Sequence, residues 1–180
     1  MTAQFAPATT TGVTSEEFRA AFRNTVGTVS VITAGTGLRP VGFTATSLTS
    51  VSLDPAIVSF NISRTSSSWP TVSRSRHLAA HLLGTEHRDT ARVFATSGID
   101  RFAAVGDWAP GPHGIPVLGH ALARLVLEVR SCTHVGDSAV VLAEVLEIQR
   151  ADGTPLLHHA GRYRHLADET SAPPTTDHER

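Results

Sequence analysis

The chain has 180 residues, of which 41% are hydrophobic and 17% are charged, a composition typical of one folded globular domain. Its 15 Lys and Arg residues nearly balance its 16 Asp and Glu residues, and the lack of a long basic run gives no support for a nucleic-acid or anionic-membrane partner. Cys132 is the only cysteine, which excludes an internal disulfide. Because no signal peptide or membrane-spanning apolar run is evident, we expect a cytoplasmic protein.

The chain begins with a small, Thr/Ala-rich stretch over residues 1–13, which we predict to be a flexible arm. Thr14 and Glu17 have the spacing of a helix capping box. Together with the apolar residues that follow at helical spacing, they predict a helix over residues 15–26.

Strand patterns dominate the rest of the chain. We predict strands over residues 28–34, 40–47, 56–63, 77–83, 121–133, 138–149, 156–158 and 162–166. We predict helices over residues 66–74 and 86–97, an extended Gly/Pro-rich loop over 99–119 and a disordered tail over 167–180. Short connections between strands favour a mainly β fold, an antiparallel barrel with peripheral helices over residues 14–166.

The strand over residues 56–63 has one apolar and one polar face. Val58, Phe60 and Ile62 alternate with Ser59, Asn61 and Ser63. The first face suits a core, and the second suits solvent or a polar pocket.

The common catalytic and metal-binding motifs are missing from the sequence. It contains no nucleophile elbow, no Walker loop and no dinucleotide-binding glycine motif. Its ten histidines do not have the ligand spacing of a zinc site, so we expect no metal. Cys132 lies within an apolar strand pattern, which favours a buried structural thiol over a nucleophile.

Hydroxyl-bearing side chains are concentrated in two segments. The first contains Thr44, Thr46, Ser47, Thr49, Ser50 and Ser52, and the second contains Ser63, Thr65, Ser66, Ser67 and Ser68. Such groups donate and accept hydrogen bonds without adding charge, which suits a polar ring system or, at a helix start, a phosphate. From density alone, a turn and a helix cap are the favoured explanation of these residues.

The run from Gly42 to Pro55 closely resembles the flavin-binding stretch of the flavin reductase-like, FMN-binding split-barrel family. Within that family it is similar to the short-chain reductase components of two-component flavin-dependent monooxygenases. Further landmarks in the family's order are Phe18-Arg19 with Phe22, Gly27-Thr28-Val29, Ser66-Ser67-Ser68-Trp69-Pro70, Asp100-Arg101-Phe102, Gly114-Ile115-Pro116-Val117-Leu118, Gly136-Asp137 and Gly161-Arg162-Tyr163. The resemblance extends over residues 18–166 and implies a split β-barrel of antiparallel Greek-key type.

The resemblance implies a set of cofactor-binding residues. Those expected beside the isoalloxazine ring are Thr44, Ala45, Thr46, Ser47, Asn61, Ile62 and Ser63. Those expected near the flavin phosphate are Ser67, Ser68, Arg101 and Phe102. Two alternatives stay open, because Arg101 could pair with Asp100 and Asn61 could cap a turn.

One position departs from the family's pattern. Relatives commonly continue the Gly136-Asp137 pair with a histidine near the nicotinamide, whereas this chain has Ser138. Serine can hydrogen-bond a carboxamide, but it cannot stack or titrate as an imidazole does. Gly136, Asp137 and Ser138 are therefore predicted nicotinamide contacts, with an altered third member.

The resemblance implies an NAD(P)H:flavin oxidoreductase that reduces FMN or FAD with a hydride from NADH or NADPH and supplies the reduced flavin to a separate monooxygenase. It also implies a homodimer with the flavin near the subunit interface. Because the cofactors carry the chemistry, we expect no single catalytic acid or base. A split-barrel flavoprotein acting on another substrate, or a non-catalytic flavin or haem carrier, are the alternatives.

Overall fold

The computed structural model describes residues 12–36 and 39–166. Apart from Gly12 and Val13, the predicted arm over residues 1–13 lies outside the described residues, and so does the predicted tail over 167–180. The helices in the described part are α1 (Ser15–Phe22), α2 (Trp69–Val72), α3 (Arg88–Ala95) and α4 (Arg101–Val105). The strands there are β1 (Gly27–Thr28), β2 (Ser30–Ala34), β3 (Val41–Ala45), β4 (Thr49–Leu53), β5 (Ala56–Ser63), β6 (His77–Leu82), β7 (Trp108–Pro110), β8 (Pro116–Leu118), β9 (Ala123–Val135), β10 (Ser138–Arg150), β11 (Leu157–His159) and β12 (Arg162–Arg164).

The predicted capping box starts α1. The Glu17 backbone N–H donates to Thr14 Oγ1 at 3.2 Å, and the Glu17 carboxylate accepts from the Thr14 backbone N–H at 2.8 Å. The helix ends at Phe22, four residues earlier than predicted. None of its residues is buried, so no packing against the barrel extends it into the next turn.

Seven strands form one antiparallel sheet in the order β3-β2-β6-β9-β10-β5-β4. The smaller sheets are β1-β11-β12 and the hairpin β7-β8. The mainly β, antiparallel fold predicted from the sequence is confirmed. β4 was not predicted as a strand: its exposed Ser/Thr-rich residues resemble a turn, and pairing with β5 orders them.

The large sheet curls until β3 contacts β5 and encloses the core. The Phe43 and Phe60 rings lie 6.2 Å apart across this contact, and Ser47 Oγ accepts a hydrogen bond from the Asn61 backbone N–H at 2.9 Å. The apolar face predicted for β5 points inward, with Phe60 and Ile62 buried. Burying such a side chain contributes about 1.5–3 kcal/mol, so this face holds β5 against the core.

The segment predicted as an extended loop, residues 99–119, contains α4 and the β7–β8 hairpin. Asp100 caps α4 by accepting hydrogen bonds from the Phe102 and Ala103 backbone N–H groups at 3.1 and 3.0 Å. Gly106 ends the helix with a φ of +71°. The Gly and Pro residues here lie at the ends of short helices and strands. Because these residues are so frequent, the sequence pattern predicted a loop in place of the short elements between them.

His81 on β6 is fully buried and joins the large sheet to β8. The Leu118 backbone N–H donates to its Nε2 at 3.1 Å, so Nε2 is unprotonated and the proton lies on Nδ1, 3.2 Å from the Val31 carbonyl oxygen. Burial lowers the pKa of His81 from its ordinary value of 6.5 to about 4. The imidazole is therefore a neutral structural bridge.

The described residues, 12–36 and 39–166, contain neither a helix that could span a membrane nor a metal-binding cluster of side chains. No helix there combines the length and apolarity needed to cross a membrane. No three His, Cys, Asp or Glu side chains there form a group that could hold a metal ion.

Candidate flavin site

A cleft of about 640 Å³ opens where the end of β3 meets the polar face of β5, the segment before α2 and the C-terminal end of α3. We call it the hydroxyl-lined cleft. The hydroxyl-bearing residues along it are Thr44, Thr46, Ser47, Ser63, Thr65, Ser66, Ser67 and Ser97. The closure of the sheet therefore brings the start of the first hydroxyl-rich segment, Thr44–Ser47, to the second segment, whereas Thr49, Ser50 and Ser52 on β4 do not line the cleft. Such a surface offers many hydrogen-bonding groups to a polar ligand.

The charge of this cleft comes from Arg101, the first residue of α4. No Asp or Glu belongs to its lining among the described residues. Arg101 Nη1 donates to the Gly42 carbonyl oxygen at 2.7 Å, and its Nε donates to the Thr96 carbonyl oxygen at 2.8 Å. Partial burial lowers the pKa of Arg101, but a guanidinium remains protonated in proteins. The side chain thus presents a fixed, uncompensated positive charge to an anionic ligand.

The alternative in which Arg101 pairs with Asp100 is wrong. The Asp100 carboxylate caps α4, and no ion pair joins the two side chains in the described structure. The Arg101 guanidinium instead lies 3.4 Å from the hydroxyls of Ser67 and Ser68.

Gly42 fixes the positions of the Arg101 guanidinium and of α3, which packs against β3. A Cβ at this position would lie 2.6 Å from Cε1 of the buried Phe94 ring, so only glycine lets α3 pack this closely on β3. The Gly42 carbonyl oxygen also accepts a hydrogen bond from Ser68 Oγ at 3.1 Å. The cation is therefore oriented by main-chain geometry.

The segment Thr44–Ser47 lines the cleft as predicted, although its hydroxyls have different tasks. Thr44 Oγ1 donates to the Ala91 carbonyl oxygen at 2.7 Å and joins β3 to α3. Ser47 Oγ accepts the Asn61 backbone N–H, which leaves its own O–H free to donate. Ala45 is buried, so it can meet a ligand only through its backbone.

The three predicted residues of β5 also line the cleft. Asn61 and Ser63 are exposed on its polar face, whereas the Ile62 side chain is buried in the core. Ile62 can therefore contribute backbone groups only.

Of the residues predicted near a phosphate, some can contact a ligand and others are packed in the protein interior. Ser67 lines the cleft beside Arg101. Ser68 is buried, with its hydroxyl held by the Gly42 carbonyl oxygen. Phe102 is buried against Phe94 and Trp108, with ring centroids 5.2 and 5.0 Å away. Ser68 and Phe102 thus support the site from behind.

Gly136, Asp137 and Ser138 lie at the turn between β9 and β10, outside the lining of the cleft. They adjoin its rim, because Ser138 pairs with Ser63 across the β10–β5 ladder. The Ser138 hydroxyl donates to the Asp137 carboxylate at 2.9 Å.

Several lining residues were not predicted as site residues from the sequence: Phe43, Thr65, Ser66, Phe94, Ala95, Ser97 and Gly98. Thr65 and Ser66 belong to the second hydroxyl-rich segment of the sequence. Phe43 belongs to the Gly42–Pro55 run, whereas the residues at and after the end of α3 approach the cleft through tertiary packing, which no local signal records.

A further groove of about 520 Å³ shares Thr46 with the hydroxyl-lined cleft and runs along α1. Phe18, Phe22 and Val26 form much of its wall and are more than half exposed. Exposed apolar surface of this kind is typical of an interaction face.

A family model described as the flavin reductase like domain matches residues 22–167. The chain belongs to this family. An NADH:FMN oxidoreductase of Rhodococcus qingshengii is 39% identical over 162 residues, which cover 87% of this chain and 84% of that protein. The reductase subunit HsaB of a flavin-dependent monooxygenase from Rhodococcus jostii is 31% identical over 146 residues, which cover 81% of this chain and 74% of that protein.

A solved structure gives the same fold. The NADH:FAD oxidoreductase SgcE6 of Streptomyces globisporus, in complex with NAD and FAD fragments, superposes with a TM-score of 0.80 at 29% identity. The alignment covers 86% of this chain and 94% of that chain. The family resemblance read from the landmarks is thereby confirmed, and the hydroxyl-lined cleft is the candidate flavin site of this family member.

Proposed function

We propose that this flavin reductase family member transfers a hydride from NADH or NADPH to FMN or FAD held in the hydroxyl-lined cleft. The observation that carries the proposal is the Arg101 guanidinium, which forms no ion pair among the described residues and lies in a cleft whose described lining contains no carboxylate. A flavin nucleotide matches this site, because it joins a polar ring and a hydroxylated chain to a phosphate. The names of the two oxidoreductase relatives support the same assignment.

Bound flavin supplies the hydride-accepting centre of the reaction. The chain's own residues bind and orient it. Arg101 and the Ser67 hydroxyl suit the phosphate, while the Ser47 hydroxyl and the backbone of Thr44–Ser47 suit the polar edge of the ring. The described lining contains no His, Cys, Lys, Tyr, Asp or Glu, which supports a role in positioning and not in proton transfer.

For the hydride donor, we propose that Ser138 faces the nicotinamide carboxamide from the rim of the cleft. Its position opposite Ser63 supports this role. Because the Ser138 hydroxyl donates its proton to the Asp137 carboxylate, its oxygen can accept a hydrogen bond from the carboxamide N–H, and it does not titrate in the physiological range. Because reduced nicotinamides are cytoplasmic metabolites, we place the reaction in that compartment.

The proposed activity is tested by mixing the purified protein with NADH or NADPH and following the loss of nicotinamide absorbance. We expect oxidation to require added FMN or FAD, because the protein supplies binding and orientation while the flavin accepts the hydride. Reactions without flavin, and with flavin but no protein, are the controls. A protein that binds flavin but leaves both nicotinamides unoxidised would contradict the reductase assignment and favour the other two candidate functions.

We further propose that the chain forms a homodimer and delivers reduced flavin to a separate monooxygenase. The name of the HsaB relative supports the monooxygenase. The dimer is supported by exposed apolar side chains on β4, the last strand of the large sheet, where Leu53 is 91% exposed and Val51 is 55% exposed. A second copy of the chain packed against β4 would bury these apolar side chains and exclude water from them.

Sedimentation should give a mass of twice the 19.1 kDa chain. Leu53→Glu places a charge in the proposed interface and is expected to shift the mass towards one chain. Ala109→Glu, at an exposed position of the separate β7–β8 hairpin, is a control for added charge alone. A wild-type protein that sediments as a single chain would refute the dimer.

A further inference from the structure

A second cleft, of about 360 Å³, adjoins the hydroxyl-lined cleft on the far side of Arg101. Ser67 and Arg101 belong to the lining of both clefts, so the two are joined at the proposed phosphate position. The volume of this adjoining cleft lies within the range of about 300–1,000 Å³ found for small-molecule sites. A ligand that passes Arg101 would therefore enter a formed depression on the protein surface.

The adjoining cleft has a second cation at its edge. Arg39 is exposed just before β3, and its side chain is in none of the ion pairs of the described residues. The one acidic side chain in this lining, Asp100, is occupied by two backbone N–H groups at the start of α4. Two arginines, Arg39 and Arg101, therefore face one carboxylate in this lining, and that carboxylate is directed at the backbone N–H groups of α4, so the described lining has a net positive charge.

The rest of the adjoining cleft offers a surface for a flat ring. Pro40 and Ile99 lie in its wall, and the Ile99 side chain is 46% exposed. An arginine guanidinium can stack on a planar ring, and apolar side chains favour burial of its faces. Together with the second cation, this chemistry matches a phosphate that carries an aromatic base.

We propose that the adjoining cleft binds the adenosine monophosphate half of FAD, and that this chain prefers FAD to FMN. The proposal rests on the proposed function, since it requires the flavin ring and its first phosphate to occupy the hydroxyl-lined cleft. FMN ends at the phosphate beside Arg101. FAD continues from that phosphate through a second one, which Arg39 would contact, to an adenine that lies against Ile99.

The test measures the dissociation constants of FAD, FMN and riboflavin by quenching of flavin fluorescence, which needs no turnover. We expect FAD to bind wild type about tenfold more tightly than FMN. Arg39→Ala should weaken FAD binding about tenfold, and leave FMN and riboflavin within about twofold. The backbone N–H of Arg39 donates to the Thr36 carbonyl oxygen at 2.9 Å, a bond that alanine retains.

Two further variants make the result specific. Ile99→Glu replaces the apolar contact with the adenine ring by a hydrated carboxylate and should also weaken FAD selectively. Arg150→Ala removes another exposed arginine, at the end of β10, and should change no flavin constant. Equal affinity of wild type for FAD and FMN, or an equal effect of Arg39→Ala on both, would overturn the adenosine site while leaving flavin reduction intact. Failure of all three flavins to bind would overturn the proposed function itself.

Discussion

Replacing Arg101 with alanine is expected to raise the dissociation constant of FMN by about ten- to a hundredfold. A hydrogen bond to a charged group contributes about 1.5–3 kcal/mol, and each 1.4 kcal/mol changes affinity tenfold. The effect should be large here because the guanidinium is already oriented by the Gly42 and Thr96 carbonyl oxygens, so little side-chain freedom is lost on binding. Fluorescence titration of the purified variant measures the change.

Riboflavin distinguishes a phosphate contact from general damage to the cleft, since it has the same ring and no phosphate. Its affinity should change less than about threefold in Arg101→Ala, because no charge-assisted bond is lost. Arg150→Ala, which removes an exposed arginine at the end of β10, is the matched control for net charge. If riboflavin and FMN weakened equally, Arg101 would have a packing role and the phosphate assignment would be wrong.

The second large effect is expected at His81. Its pKa of about 4 in the folded protein lies below the value near 6.5 of an unfolded histidine. Between these values the unfolded chain binds a proton that the folded chain does not, so stability falls as the pH falls. The contribution is complete above pH 6.5 and decreases by roughly 3 kcal/mol as the pH approaches 4.

Urea unfolding of wild type and His81→Gln at two pH values measures the contribution of His81 to the pH dependence of the free energy of unfolding. Between pH 7.5 and 5, wild type should lose about 2 kcal/mol more stability than the variant, which cannot titrate at this position. His165→Gln replaces an exposed histidine and should retain the wild-type slope. Identical pH dependence of wild type and His81→Gln would show that the buried imidazole is not the titrating group.

A third replacement measures what the two hydrogen bonds of His81 contribute. His81→Leu leaves the Leu118 N–H without its partner and removes the side-chain bond to the Val31 carbonyl oxygen, and it should lower the free energy of unfolding by about 3 kcal/mol at pH 7.5.

Much of the fold could be predicted because it depends on local patterns. The Thr14 and Glu17 capping box and the alternation along β5 are properties of neighbouring residues, and both occur as expected. The sequence does not contain enough local signal for α4, a helix of five residues whose limits are set by Asp100 and Gly106. Nor does it predict β4, because an exposed edge strand has no buried face to impose an alternating pattern.

The candidate site could be predicted in part for a related reason. The hydroxyl-rich segments were visible as composition, and the family landmarks indicated what they could bind. The tasks of individual side chains could not be predicted, because they depend on contacts between distant residues. Thr44 and Ser68 bear hydroxyls like those of Ser47 and Ser67, yet their hydrogen bonds to main-chain carbonyls use them for packing.

Gly42 has a consequence for how this site can change during evolution. One carbonyl oxygen orients Arg101 and Ser68, while the missing side chain admits Phe94. A main-chain acceptor cannot be removed by substitution, so mutations can retune the ligand-facing hydroxyls without releasing the cation. Any side chain at residue 42, by contrast, would collide with Phe94 and displace the carbonyl oxygen that orients Arg101, so it would lower both stability and ligand affinity. Substitutions that change ligand specificity are therefore expected at the rim of the site, whereas the position of the Arg101 guanidinium is set by the fold itself.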